Sequence, residues 1–218
     1  YILVPYMQGY VREANVSGTV RLIKSMARNI ILKSPIDFVS SAITLNPNRV
    51  ASLFIAMEVN PYLKILPREK VKAILLHEVL TELIIAYNLV ELLKELKKCV
   101  EKKLRTDFGL ETRNIGQLKR FLDKNGIRIK YVMTPMNPLG YQMAPSREEA
   151  EKAIQDLADK GTRIIAINIL ASGAATLGDV CKYLGKYKHK IYAVAYGTSK
   201  PHRARENATI LKQSLFSA

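Results

Sequence analysis

Cysteine is scarce. Cys99 and Cys181 are the only two in 218 residues. They are too few and too far apart for a disulfide framework or a zinc knuckle, so a reducing cytoplasm is the simplest setting. Long apolar runs are missing as well: no uninterrupted stretch of about 18 apolar residues occurs, which excludes a membrane-spanning helix on length alone. The chain begins at Tyr1 rather than Met, and its first residues carry neither the charged start nor the small-residue cleavage site of a signal peptide. No internal repeat or low-complexity segment suggests a solenoid or a linker. Residues 6–10 read Y-M-Q-G-Y, so the glycine-rich phosphate turn of an open dinucleotide-binding sheet is absent after the first apolar run.

Acidic residues are few beside basic ones, 19 Asp and Glu against 34 Lys and Arg, for a formal net charge of +15. Such an excess raises the question of a nucleic-acid partner. The basic residues are spread along the chain, however. Their local excess at 92–105 is interrupted by Glu95 and Glu101, as on the wet face of a long helix. No nucleic-acid module signature is present, so nucleic acid is not the expected partner, and a small, anionic molecule is.

What is there is an alternation. Short apolar runs at 2–6, 36–42, 52–59, 73–79, 108–114, 129–134, 163–170 and 191–196 read as strands. Amphipathic segments separate most of them: Val20, Ile23, Ala27 and Ile30 share one helical face in 17–30. Leu89, Leu92, Leu93, Leu96 and Val100 form the stripe of a long helix over 81–105. Residues 115–126 close on an Asn-Gly cap, Ser146 and Glu149 have the spacing of a capping box, and another helix is expected from Thr176 to Tyr187. Eight strands with intervening helices imply an α/β fold with a parallel sheet: a compact (βα)8 TIM barrel forming one domain over residues 1–218.

In such a barrel the chemistry sits at the C-terminal ends of the strands. The candidates there include Asp37 on the second strand, Glu58 on the third, His77 with Glu78 on the fourth and Glu111 on the fifth. Thr134 and Asn137 follow the sixth, Asn168 the seventh and Thr198 the eighth. Asp37, Glu58, His77 and Glu111 are the catalytic candidates, with His77 the principal acid–base group because imidazole titrates near neutrality. Two small-residue loops, A-S-G-A-A at 171–175 and G-T-S-K-P at 197–201, fall where barrels bind phosphate through loop amides and a helix N-terminus. Ser172, Gly173, Gly197, Thr198 and Arg203 form that expected seat.

The stretch G-T-S-K-P-H-R-A-R-E-N at 197–207 resembles the last strand and helix of the aldo-keto reductases. The resemblance implies that Thr198 and Arg203 hold the 2′-phosphate of NADP and that Glu206 and Asn207 meet the adenine. A-I-L-L-H-E is similar to the family's fourth strand with its histidine, and F-G-L-E-T-R-N falls where the family approaches the nicotinamide. I-I-A-I-N-I-L-A-S-G-A falls at its seventh strand, and I-D-F at its second-strand aspartate. The departures are two. Ala42 stands where the family's catalytic tyrosine is, and Glu58 where its lysine is. A carboxylate there raises a phenol's pKa instead of lowering it. Carbonyl oxidoreduction with NADP is therefore the first expectation. A metal-assisted lyase or isomerase built on Glu58, His77, Glu78 and Glu111, and a non-catalytic basic ligand- or nucleic-acid-binding barrel, are the alternatives; no specific metal ligand set is assigned. A homo-oligomer is compatible with the sequence.

Overall fold

The computed structural model describes residues 1–5 and 47–216. Asp37 and the expected elements at 17–30 and 36–42 lie outside the described residues. The strands are β1 (Ile2–Leu3), β2 (Ala73–Leu76), β3 (Asp107–Glu111), β4 (Tyr131–Pro135), β5 (Arg163–Ile167) and β6 (Ile191–Val194). The helices are α1 (Pro47–Ile65), α2 (Glu78–Ala86), α3 (Val90–Lys98), α4 (Ile115–Lys124), α5 (Arg147–Asp159), α6 (Leu177–Gly185) and α7 (Pro201–Phe216). Strand neighbours follow chain order from β1 to β6, as right-handed βα units in an α/β protein produce. The residues group into two compact units, Tyr1–Gly109 and Leu110–Ala218.

The expected eight-stranded closed barrel is corrected at its third strand. Residues 52–59 are helical, inside α1. Ser52, Ile55, Val59 and Leu63 are buried, and their spacing of three, four and four residues is a helical period, whereas a strand would bury every second residue. Pro47 is the first residue of the helix, where a proline forfeits no hydrogen bond. Six strands are thus present among the described residues, and Glu58 does not end a strand.

In the first unit β1 pairs parallel with β2, Ile2 opposite Ala73 and Leu3 opposite Ile74. All four residues of β2 are buried, which explains its unbroken apolar sequence: a parallel strand is covered on both faces. Helix α1 packs on α3 and on the wide turn Cys99–Lys103 that continues it. Cys99 is sealed there, its thiol donating to the Ser52 carbonyl at 3.5 Å, and burial pushes its pKa up. The long helix expected over 81–105 is two, broken at Asn88, whose φ is 50°.

In the second unit β4 and β5 run parallel, with Tyr131 opposite Arg163 and Pro135 opposite Ile167. β5 and β6 are also parallel, with a register shift between Ile164 and Ile165. Val132, Ile164 and Ala166 are fully buried, and α5 packs against β5. Asp123 on α4 accepts from Lys119 at 2.9 Å and from Lys160 beyond α5. Those two lysines hold its carboxyl below the usual range. The Arg163 guanidinium sits 5.4 Å from the Tyr131 ring centre and 4.9 Å from that of Tyr192, two cation–π contacts near the start of the strands, where the two rings meet edge to face.

Candidate functional site

The loops that follow β3, β4 and β5 in the second unit are tied to one another by hydrogen bonds, several of them from side chains the sequence already offered as polar. Asn137, fully buried just past β4, donates through Nδ2 to the Tyr141 carbonyl at 2.8 Å and accepts the Tyr141 amide at 2.9 Å. A side-chain amide used this way mimics backbone and closes a loop that no regular element supports. Asn168, just past β5, donates to Gln142 Oε1 at 3.0 Å and accepts the Ser172 amide at 3.3 Å, which couples the loop after β4 to the loop after β5. The Ala144 amide donates to the Arg113 carbonyl at 3.0 Å, coupling the loop after β4 to the end of β3.

Gly116, in the first turn of α4, takes part in the same closure. A Cβ there would lie 2.7 Å from Pro145 Cδ, so the helix approaches a rigid pyrrolidine ring that cannot rotate away. Gly116→Ala is therefore expected to destabilise the protein by about 1–2 kcal/mol, the overpacking cost exceeding the ~1 kcal/mol that alanine gains in helix propensity. Chemical denaturation measures it; a stabilised variant would show that the loop does not bear on the helix.

After β5 the backbone turns through left-handed conformations at Asn168, Ala171, Ser172 and Gly173, with φ of 52°, 47°, 58° and 94°. Three of these are not glycine, and such angles cost free energy that the surrounding hydrogen bonds must hold in place. The amides of Ala171, Ser172, Gly173, Ala174 and Ala175 all donate to Asn168, Leu170 or Ala171. This loop thus offers a ligand the exposed Ser172 hydroxyl and few free N–H groups.

The turn after β6 differs. The Tyr196 hydroxyl donates to the Ala204 carbonyl at 2.6 Å, fixing the turn against α7, and Thr198 Oγ1 accepts the Lys200 amide at 3.4 Å. Among the described residues the amides of Gly197, Thr198, Ser199, His202 and Arg203 have no acceptor. Pro201 is the first residue of α7, where its missing N–H costs nothing. Arg203 is exposed and forms no ion pair with Glu206 among the described residues. Arg203, Glu206 and Asn207 follow one another at helical spacing and so share a face. This helix end carries unpaired donors, a positive dipole end and an exposed guanidinium in one place.

The catalytic candidates have separate settings. His77 follows β2 as the N-cap of α2, its Nδ1 accepting the Val79 amide at 3.3 Å. The expected strand over 73–79 ends at Leu76, so His77 and Glu78 do not alternate across a sheet. Capping fixes the imidazole with Nδ1 as acceptor and Nε2 as the N–H donor. Glu58 is half-buried in α1 and Glu111 half-buried at the end of β3; both engage in interactions. Among the described residues no group of three or more His, Cys, Asp or Glu side chains could hold a metal ion, and no helix is long and apolar enough to cross a membrane.

The sequence reading missed a polar cluster between α5 and α6. Arg147 donates through Nε to Glu151 at 2.7 Å and through a terminal nitrogen to the Pro138 carbonyl at 2.6 Å. Its guanidinium lies 4.9 Å from the Tyr183 ring centre, and the Tyr183 hydroxyl donates to Glu151 at 2.8 Å. Burial raises the pKa of Glu151, but hydrogen bonds from Arg147, Tyr183 and Tyr187 outweigh it and hold the carboxyl below its ordinary value. Burial first, then the Glu151 carboxylate, push the Tyr183 phenol far up. The i, i+4 spacing of Arg147 with Glu151 and of Tyr183 with Tyr187 was the available signal.

No protein-family profile matches the chain, and no curated protein does. A solved structure from Pseudomonas aeruginosa, provisionally assigned as an aldo-keto reductase, matches with a TM-score of 0.57 at 19% identity over 75% of this chain. The chain spans 60% of that structure's length. The likeness is one of fold: the chain has an aldo-keto reductase-like α/β architecture.

Proposed function

We propose that the chain forms an aldo-keto reductase-like barrel that binds NADP(H), or another phosphorylated ligand, at the turn after β6, with carbonyl oxidoreduction on a small anionic substrate as its activity. The observation that carries this reading is the start of α7, where unpaired amides meet an unpaired Arg203. A phosphate monoester fits these donors: the amides supply short, oriented hydrogen bonds and the guanidinium a bidentate, charged partner. Thr198 and Gly197 would line the turn, Glu206 and Asn207 would meet the base, and Ser172 with Gly173 would lie along the connecting part of the ligand. When bound, NADP(H) supplies hydride exchange with a carbonyl carbon. His77 is the acid–base group of this reading, with Asp37 and Glu111 as its further catalytic groups. Glu58, placed on a helix, has no part in this reading.

The test is equilibrium binding of NADPH and NADH to the wild type and to Arg203→Ala. NADPH is expected to bind more tightly, and the substitution to weaken it about 10- to 100-fold while leaving NADH nearly unchanged, since a charge-assisted hydrogen bond contributes ~1.5–3 kcal/mol. Equal affinities for the two dinucleotides, or an indifferent Arg203→Ala, would remove the phosphate seat. His77→Gln should then retain NADPH affinity and lose turnover of a carbonyl substrate; full turnover would remove His77 from the mechanism.

A further inference from the structure

We infer that the second unit carries a separate anion-binding pocket between the loop after β4, the start of α5 and the length of α6, suited to a compact apolar molecule bearing a dianionic group such as a phosphate monoester. The cavity measures about 330 Å³, the lower end of the range that takes small ligands. Arg147, Lys182 and Lys186 line it, with Asp179 as the single acidic residue, and Leu139 and Tyr183 contribute its apolar wall. It shares Ala174 and Ala175 with the loop after β5 but none of residues 197–207.

The lining is built to receive charge. Arg147 is fixed at three points, by Glu151, by the Pro138 carbonyl and by the face of Tyr183, so the guanidinium donors left over keep one direction without further loss of side-chain entropy. Asp179 is committed to the cap of α6, its Oδ2 accepting from the Thr176 hydroxyl at 2.6 Å. Lys182 in the last turn of α6 and Lys186, which caps its C-terminus, stand four residues apart and have no carboxylate partner among the described residues. Like charges at that spacing repel. A dianion between them relieves that repulsion and accepts from both ammonium groups and from Arg147. Leu139, 59% exposed at the edge of the cavity, offers contact to an apolar body beyond the anionic group.

Phenyl phosphate is the probe, with inorganic phosphate and phenol as its two halves, titrated into the whole chain by calorimetry. Saturable binding of phenyl phosphate, tighter than either half, is expected. The double variant Lys182→Gln/Lys186→Gln should weaken it at least tenfold while NADPH binding at α7 is unchanged. A control that removes two lysines elsewhere in the unit, Lys152→Gln/Lys188→Gln, should bind as the wild type does. Absence of saturable binding overturns the inference. So does equal affinity in the Lys182/Lys186 variant, equal weakening in the control, or loss of phenyl phosphate and NADPH together.

Discussion

Glu151→Ala is expected to lower the unfolding free energy by about 3 kcal/mol at neutral pH, because it strands the partners of a partly buried carboxylate. The side chain is 18% exposed and takes hydrogen bonds from Arg147 and Tyr183, with Tyr187 adding a third. Arg147 is 37% exposed, so water recovers part of the cost on its side, which keeps the figure below the full penalty of a buried unpaired charge. Glu151→Gln keeps an acceptor but loses the charge, and should cost about half as much.

The sign of the pH dependence follows from the direction of the shift. The folded-state pKa of Glu151 is lowered from 4.5, so the carboxylate's contribution is complete above the unfolded value and is lost as pH falls through the folded one. The difference between wild type and variant should therefore shrink under acid. At the alkaline end the raised Tyr183 phenol works the other way: the fold favours its neutral form, so stability falls as pH rises past the ordinary tyrosine value of 10.0. Urea denaturation across this range measures both arms. A Glu151→Ala cost under about 0.5 kcal/mol at pH 7, the size of a neutral surface change, would show that the cluster is ornamental to stability.

The second large effect is at Ile55. Ile55→Gln should destabilise the first unit by about 4 kcal/mol, joining the lost burial of an aliphatic side chain to the cost of an unsatisfied amide. Met57→Gln, two residues along, should cost under about 1 kcal/mol, since glutamine is a good helix former and the position is half-exposed. A strand would place Ile55 and Met57 on the same face and make the two substitutions alike. Similar losses at both, measured by the same denaturation, would contradict the helix. The contrast is large because Ile55 is 2% exposed, as are Ser52 at 2% and Val59 at 1% along the same stripe.

Several features were legible because they depend on neighbours in the chain. The capping of α5 by Ser146, with its hydroxyl accepting the Glu149 amide at 3.2 Å, and the close of α4 at Asn125 and Gly126, where φ reaches 63°, are local chemistry. So is the proline opening of α7. The strands β1 to β6 were visible as short apolar runs, most plainly β2, which is buried at all four positions and has no polar side to show. Strand ends ran past their true limits at His77 and Asn168 because side-chain polarity does not reveal where the backbone leaves the extended region. Residues 52–59 were misread for a related cause: a run apolar at nearly every position fits both periods, and only the burial of Ser52 and Leu63 selects 3.6 over 2.

The amino-acid sequence by itself determined the α/β alternation, the helix caps and the turn that leaves donors open before α7, because each is set by residues within a few positions of one another. The tertiary structure alone decided that the 171–175 amides are consumed within their own loop, that Asn168 reaches Gln142, and that Arg147, Glu151 and Tyr183 converge. Those contacts join residues up to 36 positions apart, Arg147 and Tyr183 among them. Whether such groups meet depends on how helices pack over a sheet, and that is fixed by the burial of apolar faces far from the polar atoms concerned.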